Sequence, residues 1–238
     1  MQPSGEQTTS PATRWYRTVT FRVALLLTIG VFAILTFLVE ATPSFPVDLQ
    51  ITLTIQSVHS PLFDAFMRFI SWPGYLPQYV LIVLLIAWTL YLYQLRWEAV
   101  ASILAAVSSG IINQLVKTII QRPRPSGDIV DVFYMLESYS FPSGHVMFYI
   151  SYFGFLWYLA FTLLKRSWQR SLLLAVFGGF IILVGVSRIS LGQHWASDVL
   201  GAYLLGSLIL AGIILLYQWG QERSLFRSAA VTHDSKEE

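Results

Sequence analysis

Residues 171–221 read SLLLAVFGGFIILVGVSRISLGQHWASDVLGAYLLGSLILAGIILLYQWGQ. Within this stretch, 171–187 and 199–221 contain no Asp, Glu, Lys, Arg or His. Each run is near the ~20 residues that cross ~30 Å of hydrocarbon as a helix. A chain in lipid must satisfy its own backbone groups, so helix is the expected form. The pair therefore predicts two spanning helices, joined by a polar link from Ser187 to Asp198.

Further charge-free runs lie at 23–39, 69–95, 99–116 and 146–164, which brings the expected spans to six. Pro73, Gly74 and Pro77 place the start of the second span near Tyr75. Composition agrees: of 238 residues 55% are apolar and only 12% charged, about half the ~25% of a soluble domain. Mean hydropathy is +0.60. The fold class read from this is all-α, an integral membrane bundle of six transmembrane helices. One domain is expected over 23–221, between cytoplasmic tails at 1–22 and 222–238. There is no cysteine, which excludes disulfides, thiolate metal sites and cysteine nucleophiles. A net charge of +2 offers no basic surface for nucleic acid.

Arg14, Arg17 and Arg22 precede the first run, and Val39-Glu40-Ala41 loosely resembles a signal cleavage site. The run exceeds the 7–15 residues of a signal h-region, so an uncleaved anchor is expected. Ten of the fifteen lysines and arginines fall on the side of the N-terminus. The positive-inside rule then puts both termini in the cytoplasm. Between the first two spans, Leu62, Phe63, Phe66, Phe69 and Ile70 recur at helical spacing, with Asp64 and Arg68 four apart. A short interfacial helix is expected there. Just before it, Leu49, Ile51, Leu53 and Ile55 alternate like a strand, while Ile51, Ile55, Val58 and Leu62 fit a helix. Helix is favoured, because a lone strand at a membrane surface leaves its edges unpaired.

Three polar clusters border the spans. Lys117–Pro125 reads KTIIQRPRP, Pro142–His145 reads PSGH, and Ser187–Asp198 reads SRISLGQHWASD. The span count brings all three to the extracytoplasmic face. Lys117, Arg124 and Arg188 are cations at a depth where unpaired charge is costly, and Asp198 alone cannot balance them. A phosphate group would. Ser143, Gly144 and His145 open a helix whose free N–H groups favour an anion, and Gly144 lets the backbone come close. His194 and Asp198 are four apart, on one helix face, so the carboxylate is expected to accept the Nδ1 proton and orient the ring. The other nitrogen is a nucleophile, and His145 is a general acid for the departing oxygen.

K-x6-R-P, P-S-G-H and S-R-x5-H-x3-D in this order resemble the signature motifs of the type-2 phosphatidic acid phosphatase family. The resemblance implies a six-span, metal-independent lipid phosphatase without cofactor. In it Lys117, Arg124, Ser143, Gly144 and Arg188 hold phosphate, His194 becomes phosphohistidine, Asp198 assists it and His145 protonates the leaving group. It further implies a phospholipid or polyprenyl phosphate substrate taken from the bilayer, with undecaprenyl diphosphate first. Phosphatidylglycerophosphate, phosphatidic acid, transfer to a second lipid, and binding or transport without chemistry stand as alternatives. Arg122 is left between a phosphate contact and a loop charge, and Ser187 between packing and a phosphate contact. His59 reads as an interfacial polar residue and His233 as part of the tail. The acidic, aromatic loop 127–141 either covers the site or is a plain outer loop.

Overall fold

The computed structural model describes residues 11–42, 44–58 and 60–223, with side chains from residue 19 onward. His59, His233, residues 1–10 of the N-terminal tail and residues 224–238 of the C-terminal tail lie outside the described residues. Eight helices follow in order: α1 Pro11–Ala41, α2 Pro46–Gln56, α3 Pro61–Ser71, α4 Gln78–Leu92, α5 Arg96–Ile120, α6 Gly144–Leu163, α7 Trp168–Ser190 and α8 Ala196–Glu222. No strand occurs among the described residues. Helix α6 carries a π-helical turn at Tyr149–Phe153.

Among the described residues, five helices are long and apolar enough to span a membrane: α1 from Val19, α5, α6, α7 and α8. The expected second span is different. At 15 residues α4 reaches only about 22 Å. It joins α3 and the 3-10 turn Trp72–Gly74 across a 59° bend. Counted as one span, this bent pair brings the candidate crossings to six; the helix is interrupted at Pro73, Gly74 and Pro77.

Helix α6 is the centre of the bundle. Two thirds of its apolar window is buried in the molecule, against 6% for α1, which packs mainly on α8. Val146, Met147, Tyr149, Tyr152 and Phe155 of α6 are wholly enclosed. The small residues Ala101, Ser102 and Ala105 of α5 and Ala202 of α8 are enclosed with them. Small side chains let helix backbones approach in lipid, where dispersion contacts must supply the attraction. At the end away from the motifs, buried Glu98 accepts from Tyr217 at 2.8 Å and from Gln221 at 2.9 Å, tying α5 to α8.

The segment after α1 is two helices. Ser60 caps α3 by accepting from the Phe63 N–H at 3.1 Å, with Pro61 at its first position. No Asp64–Arg68 ion pair forms among the described residues; Arg68 lies over the Phe133 ring at 4.7 Å. Helix α2 is turned opposite to its apolar pattern. Its buried residues are Asp48, Thr52 and Gln56, while Val47, Ile51 and Leu53 are exposed. Helix α2 packs on α7 and α8 beside the polar motifs, so its polar stripe is the one with partners inside.

Candidate active site

Lys117 in the last turn of α5, Ser143 and Gly144 at the start of α6, Arg188 in the last turn of α7, His194 in the turn before α8 and Asp198 in the first turn of α8 converge at one end of the bundle. His194 and Asp198 therefore do not share a helix face. Arg124 joins them from the loop after α5. Helix α5 ends at Gln121 in the left-handed region (φ 50°), and Pro123 and Pro125 keep the chain from resuming it. A cavity of about 360 Å³ runs from these residues down between α4 and α5. Lys117, Arg124, Arg188, His145 and His194 line its polar end, and Tyr79, Ala106, Gly110 and Phe148 line its apolar end.

Each cation is held by neutral oxygens. Lys117 Nζ donates to the Tyr139 carbonyl at 2.5 Å. Arg124 donates to the Ser138 carbonyl at 2.7 Å, to Ser138 Oγ at 2.9 Å and to the Gln193 carbonyl at 2.5 Å. Burial, and then Arg188 nearby, bring the Arg124 guanidinium down to about 10. Arg188 donates to the Tyr75 hydroxyl at 2.8 Å and to Ser71 Oγ at 3.1 Å. Ser71 in turn lies 2.6 Å from Ser187, which donates to the Met67 carbonyl at 2.6 Å. Ser187 is therefore a packing and orienting residue that ties α7 to α3.

Arg124 Nη1 also sits 3.2 Å from His194 Nε2. A guanidinium can only donate, so Nε2 must accept and the ring proton is assigned to Nδ1. The imidazole thus presents a lone pair beside the cations. Burial first, then Arg124, Lys117 and Arg188, push His194 well below the ordinary 6.5. It is neutral at pH 7.

The direct hydrogen bond expected from Nδ1 to Asp198 is not formed. Asp198 Oδ2 stands 3.6 Å from Nδ1, within ion-pair reach only. That oxygen already accepts the Trp195 N–H at 2.8 Å and the Ser140 hydroxyl. Ser140 Oγ is 3.5 Å from the same Nδ1 and so stands between ring and carboxylate. Asp198 Oδ1 accepts from Arg122 at 2.5 Å. Arg122 is therefore not a solvated loop charge; it is 2% exposed and bound to carboxylates.

The Ser143 side chain does not cap α6. Its N–H is spent on the Asp198 carbonyl at 3.2 Å, which removes that amide from the expected anion cradle. Its hydroxyl is buried without a partner, as are His145 Nε2 and Arg188 Nε. Buried polar atoms without partners are rare, and these three lie together at the motif end of the bundle. Asn113 fixes the turn by donating to the Pro142 carbonyl at 2.9 Å. His145 is set by Tyr75, whose ring meets it edge-on at 4.6 Å between centroids, and by Gly74. A Cβ on Gly74 would lie 2.4 Å from His145 Cδ2.

Loop 127–141 is fastened over the site. Gln56 holds Asp131 through both main-chain groups, at 2.7 and 3.1 Å, and Gln193 donates to the Tyr134 carbonyl at 2.5 Å. Gly192 (φ +64°) lets the strap pass, because a Cβ there would lie 2.0 Å from the Asp131 carbonyl oxygen. Leu136 and Ser138 of the strap line the cavity. Among the described residues, no group of three or more His, Cys, Asp or Glu is placed to hold a metal ion.

Residues 97–223, which hold every one of the three motifs, match the PAP2 superfamily. The chain belongs to the PAP2 superfamily. Two curated members are similar to it. Phosphatidylglycerophosphatase B of Bacillus subtilis (strain 168) is 30% identical over 132 residues, 54% of this chain and 62% of that protein. Undecaprenyl-diphosphatase of Sulfolobus acidocaldarius is 30% identical over 118 residues, 48% of this chain and 52% of that protein. The chain thus spans less than two thirds of either relative. The PAP2 fold is shared with the crystal structure of the transmembrane PAP2-type phosphatidylglycerolphosphate phosphatase of Bacillus subtilis. There the TM-score is 0.71 at 24% identity, covering 84% of this chain and 96% of that one. Aquifex aeolicus LpxE follows at 0.60 and 24%, covering 73% and 98%. This PAP2 chain is a multi-pass membrane protein in which Lys117, Arg124, Gly144, His145, Arg188 and His194 line one cavity.

Proposed function

We propose that the chain is a membrane lipid phosphate phosphatase working through a phosphohistidine. The observation that carries this reading is the cavity wall. His145 Nε2 and Arg188 Nε are buried without partners on residues that line the same cavity as His194, Lys117 and Arg124. The apolar end between α4 and α5 suits an acyl or prenyl tail.

His194 Nε2 attacks phosphorus as the bond to the leaving oxygen breaks. Arg124, Arg188, Lys117 and the Ser143–Gly144 turn hold the remaining oxygens, where transition-state charge is spread. His145 gives its proton to the leaving oxygen. In the second step the same ring takes a proton from water as water breaks the N–P bond, releasing inorganic phosphate. Asp198, through its charge and through Ser140, supports the cation that forms on His194.

Undecaprenyl diphosphate is the first substrate proposed, giving undecaprenyl phosphate and inorganic phosphate. The name of the Bacillus relative supports phosphatidylglycerophosphate as the second. The site is proposed to face the extracytoplasmic side, because ten of the fifteen lysines and arginines belong to the opposite side. The test is phosphate release by detergent-purified protein from undecaprenyl diphosphate, phosphatidylglycerophosphate and phosphatidic acid, each with excess chelator. Chelator-resistant release, fastest from undecaprenyl diphosphate, is expected. Silence on all three overturns the hydrolase in favour of a transferase or a binding protein.

Gly74→Ala tests the placement of His145. The added methyl meets the ring at 2.4 Å, and the ring cannot withdraw past Tyr75. A fall of about ten- to a hundredfold in kcat is expected, since small misplacements of a reacting group cost that much. Overpacking should also lower the melting temperature by a few degrees, and an unchanged kcat would show that His145 has room to spare.

A further inference from the structure

Two buried carboxylates share one guanidinium beside His194. Arg122 Nη1 donates to Asp198 Oδ1 at 2.5 Å and to Ser197 Oγ at 2.8 Å, and Nη2 donates to Asp48 Oδ2 at 2.9 Å. Ser197 closes the ring. Its hydroxyl donates to Asp48 Oδ2 at 2.5 Å and its N–H to Asp48 Oδ1 at 2.8 Å. The exposures are 1% for Asp48, 2% for Arg122 and none for Asp198, so the groups interact at low dielectric. Asp48 lies in the first turn of α2, ahead of residue 97 where the superfamily match begins. Sequence reasoning gave it no role.

We propose that Asp48 is a positioning residue for the nucleophile: it shares the charge of Arg122 and so leaves Asp198 negative toward His194. The proposal rests on the phosphohistidine reading. Were Arg122 to pair with Asp198 alone, the two charges would nearly cancel at the imidazole. The cation formed on His194 in the reaction would then lose its support. Asp48 also fixes where the guanidinium sits, since two of its contacts come from one side of the ring of groups. Helix α2 acts as part of the site, reaching the reacting atoms through Arg122 and Asp198.

The other charges facing His194 are Lys117 of α5, Arg188 of α7, His145 of α6 and Arg124 of the loop. A series in Asp48 and Arg122 leaves all of them in place. The experiment measures kcat, KM and the pH dependence of kcat/KM for the full chain in detergent, with the lipid that the wild type cleaves best. Asp48→Asn keeps the shape and removes the charge. It should lower kcat about ten- to a hundredfold with KM held within about threefold. It should also move the acidic limb of kcat/KM to lower pH, because one negative charge less disfavours the imidazolium. Asp48→Glu should recover part of kcat and return the limb toward the wild type.

Arg122→Gln has the opposite sign. With the guanidinium gone, both carboxylates bear on His194 and the limb should rise. This variant decides the matter if Asp48→Asn does not fold. A kcat for Asp48→Asn within about twofold of wild type overturns the proposal, as does a loss confined to KM. So does a limb that stays put in both variants while activity follows only the folded fraction, which would mark a structural ring alone. His194→Ala runs beside them. Release retained by that variant removes the phosphohistidine reading itself; release that needs His194 and ignores Asp48 removes only this assignment.

Discussion

His194→Gln is expected to lose about ten-thousandfold or more in phosphate release, because it removes the nucleophile and not a contact. Glutamine can keep a polar group near Arg124 but offers no lone pair able to form an N–P bond. The bond from Arg124 to Nε2 at 3.2 Å shows which nitrogen carries that pair. Rapid quenching with labelled lipid should trap an acid-labile, base-stable phosphoenzyme in the wild type and none in this variant. The pH profile carries a second sign. Burial and then the neighbouring cations hold His194 neutral well below 6.5, so the acidic limb of kcat/KM should lie below that value. Bound substrate brings negative charge against Arg124, Lys117 and Arg188. That charge makes the imidazolium easier to form, so the limb of kcat should lie above the limb of kcat/KM. A His194→Gln enzyme that keeps a labelled phosphoenzyme would move the nucleophile elsewhere.

His145→Gln should cost about a hundred- to ten-thousandfold, the usual worth of a general acid. Its effect should depend on what departs. An alkoxide leaving from a lipid phosphomonoester needs a proton, whereas a nitrophenolate does not. The deficit should therefore be large on phosphatidylglycerophosphate or phosphatidic acid and shrink on nitrophenyl phosphate, while His194→Gln should be equally dead on both. The geometry behind this is the buried, unpartnered Nε2 and the ring fixed edge-on to Tyr75. Equal losses on the two substrates would turn His145 into a phosphate-binding group.

Lys117, Arg124, His145, Arg188, His194 and Asp198 were legible in the sequence because each is a costly polar residue at the border of an apolar run. Their order along six runs places them at one end without any knowledge of packing. Ser140 was hidden, because a serine in a loop carries no sign of what it bridges. The bent second crossing was half legible: Pro73, Gly74 and Pro77 marked the break, but not that α4 has only 15 residues.

The pattern predicts helix over the α2 segment but not which face packs. In water the exposed Val47, Ile51 and Leu53 would be the packing side. Near lipid, the outside is as apolar as the core, and the polar stripe Asp48, Thr52 and Gln56 turns inward to find partners. The sequence by itself determined the membrane helices, the motif residues and the end of the bundle where they gather, since these follow from local polarity and spacing. Only the tertiary structure decided which groups the buried charges meet. Asp48 and Ser197 are 149 residues apart in the chain, and neither spacing nor composition carries the fact that α2 lies against α8.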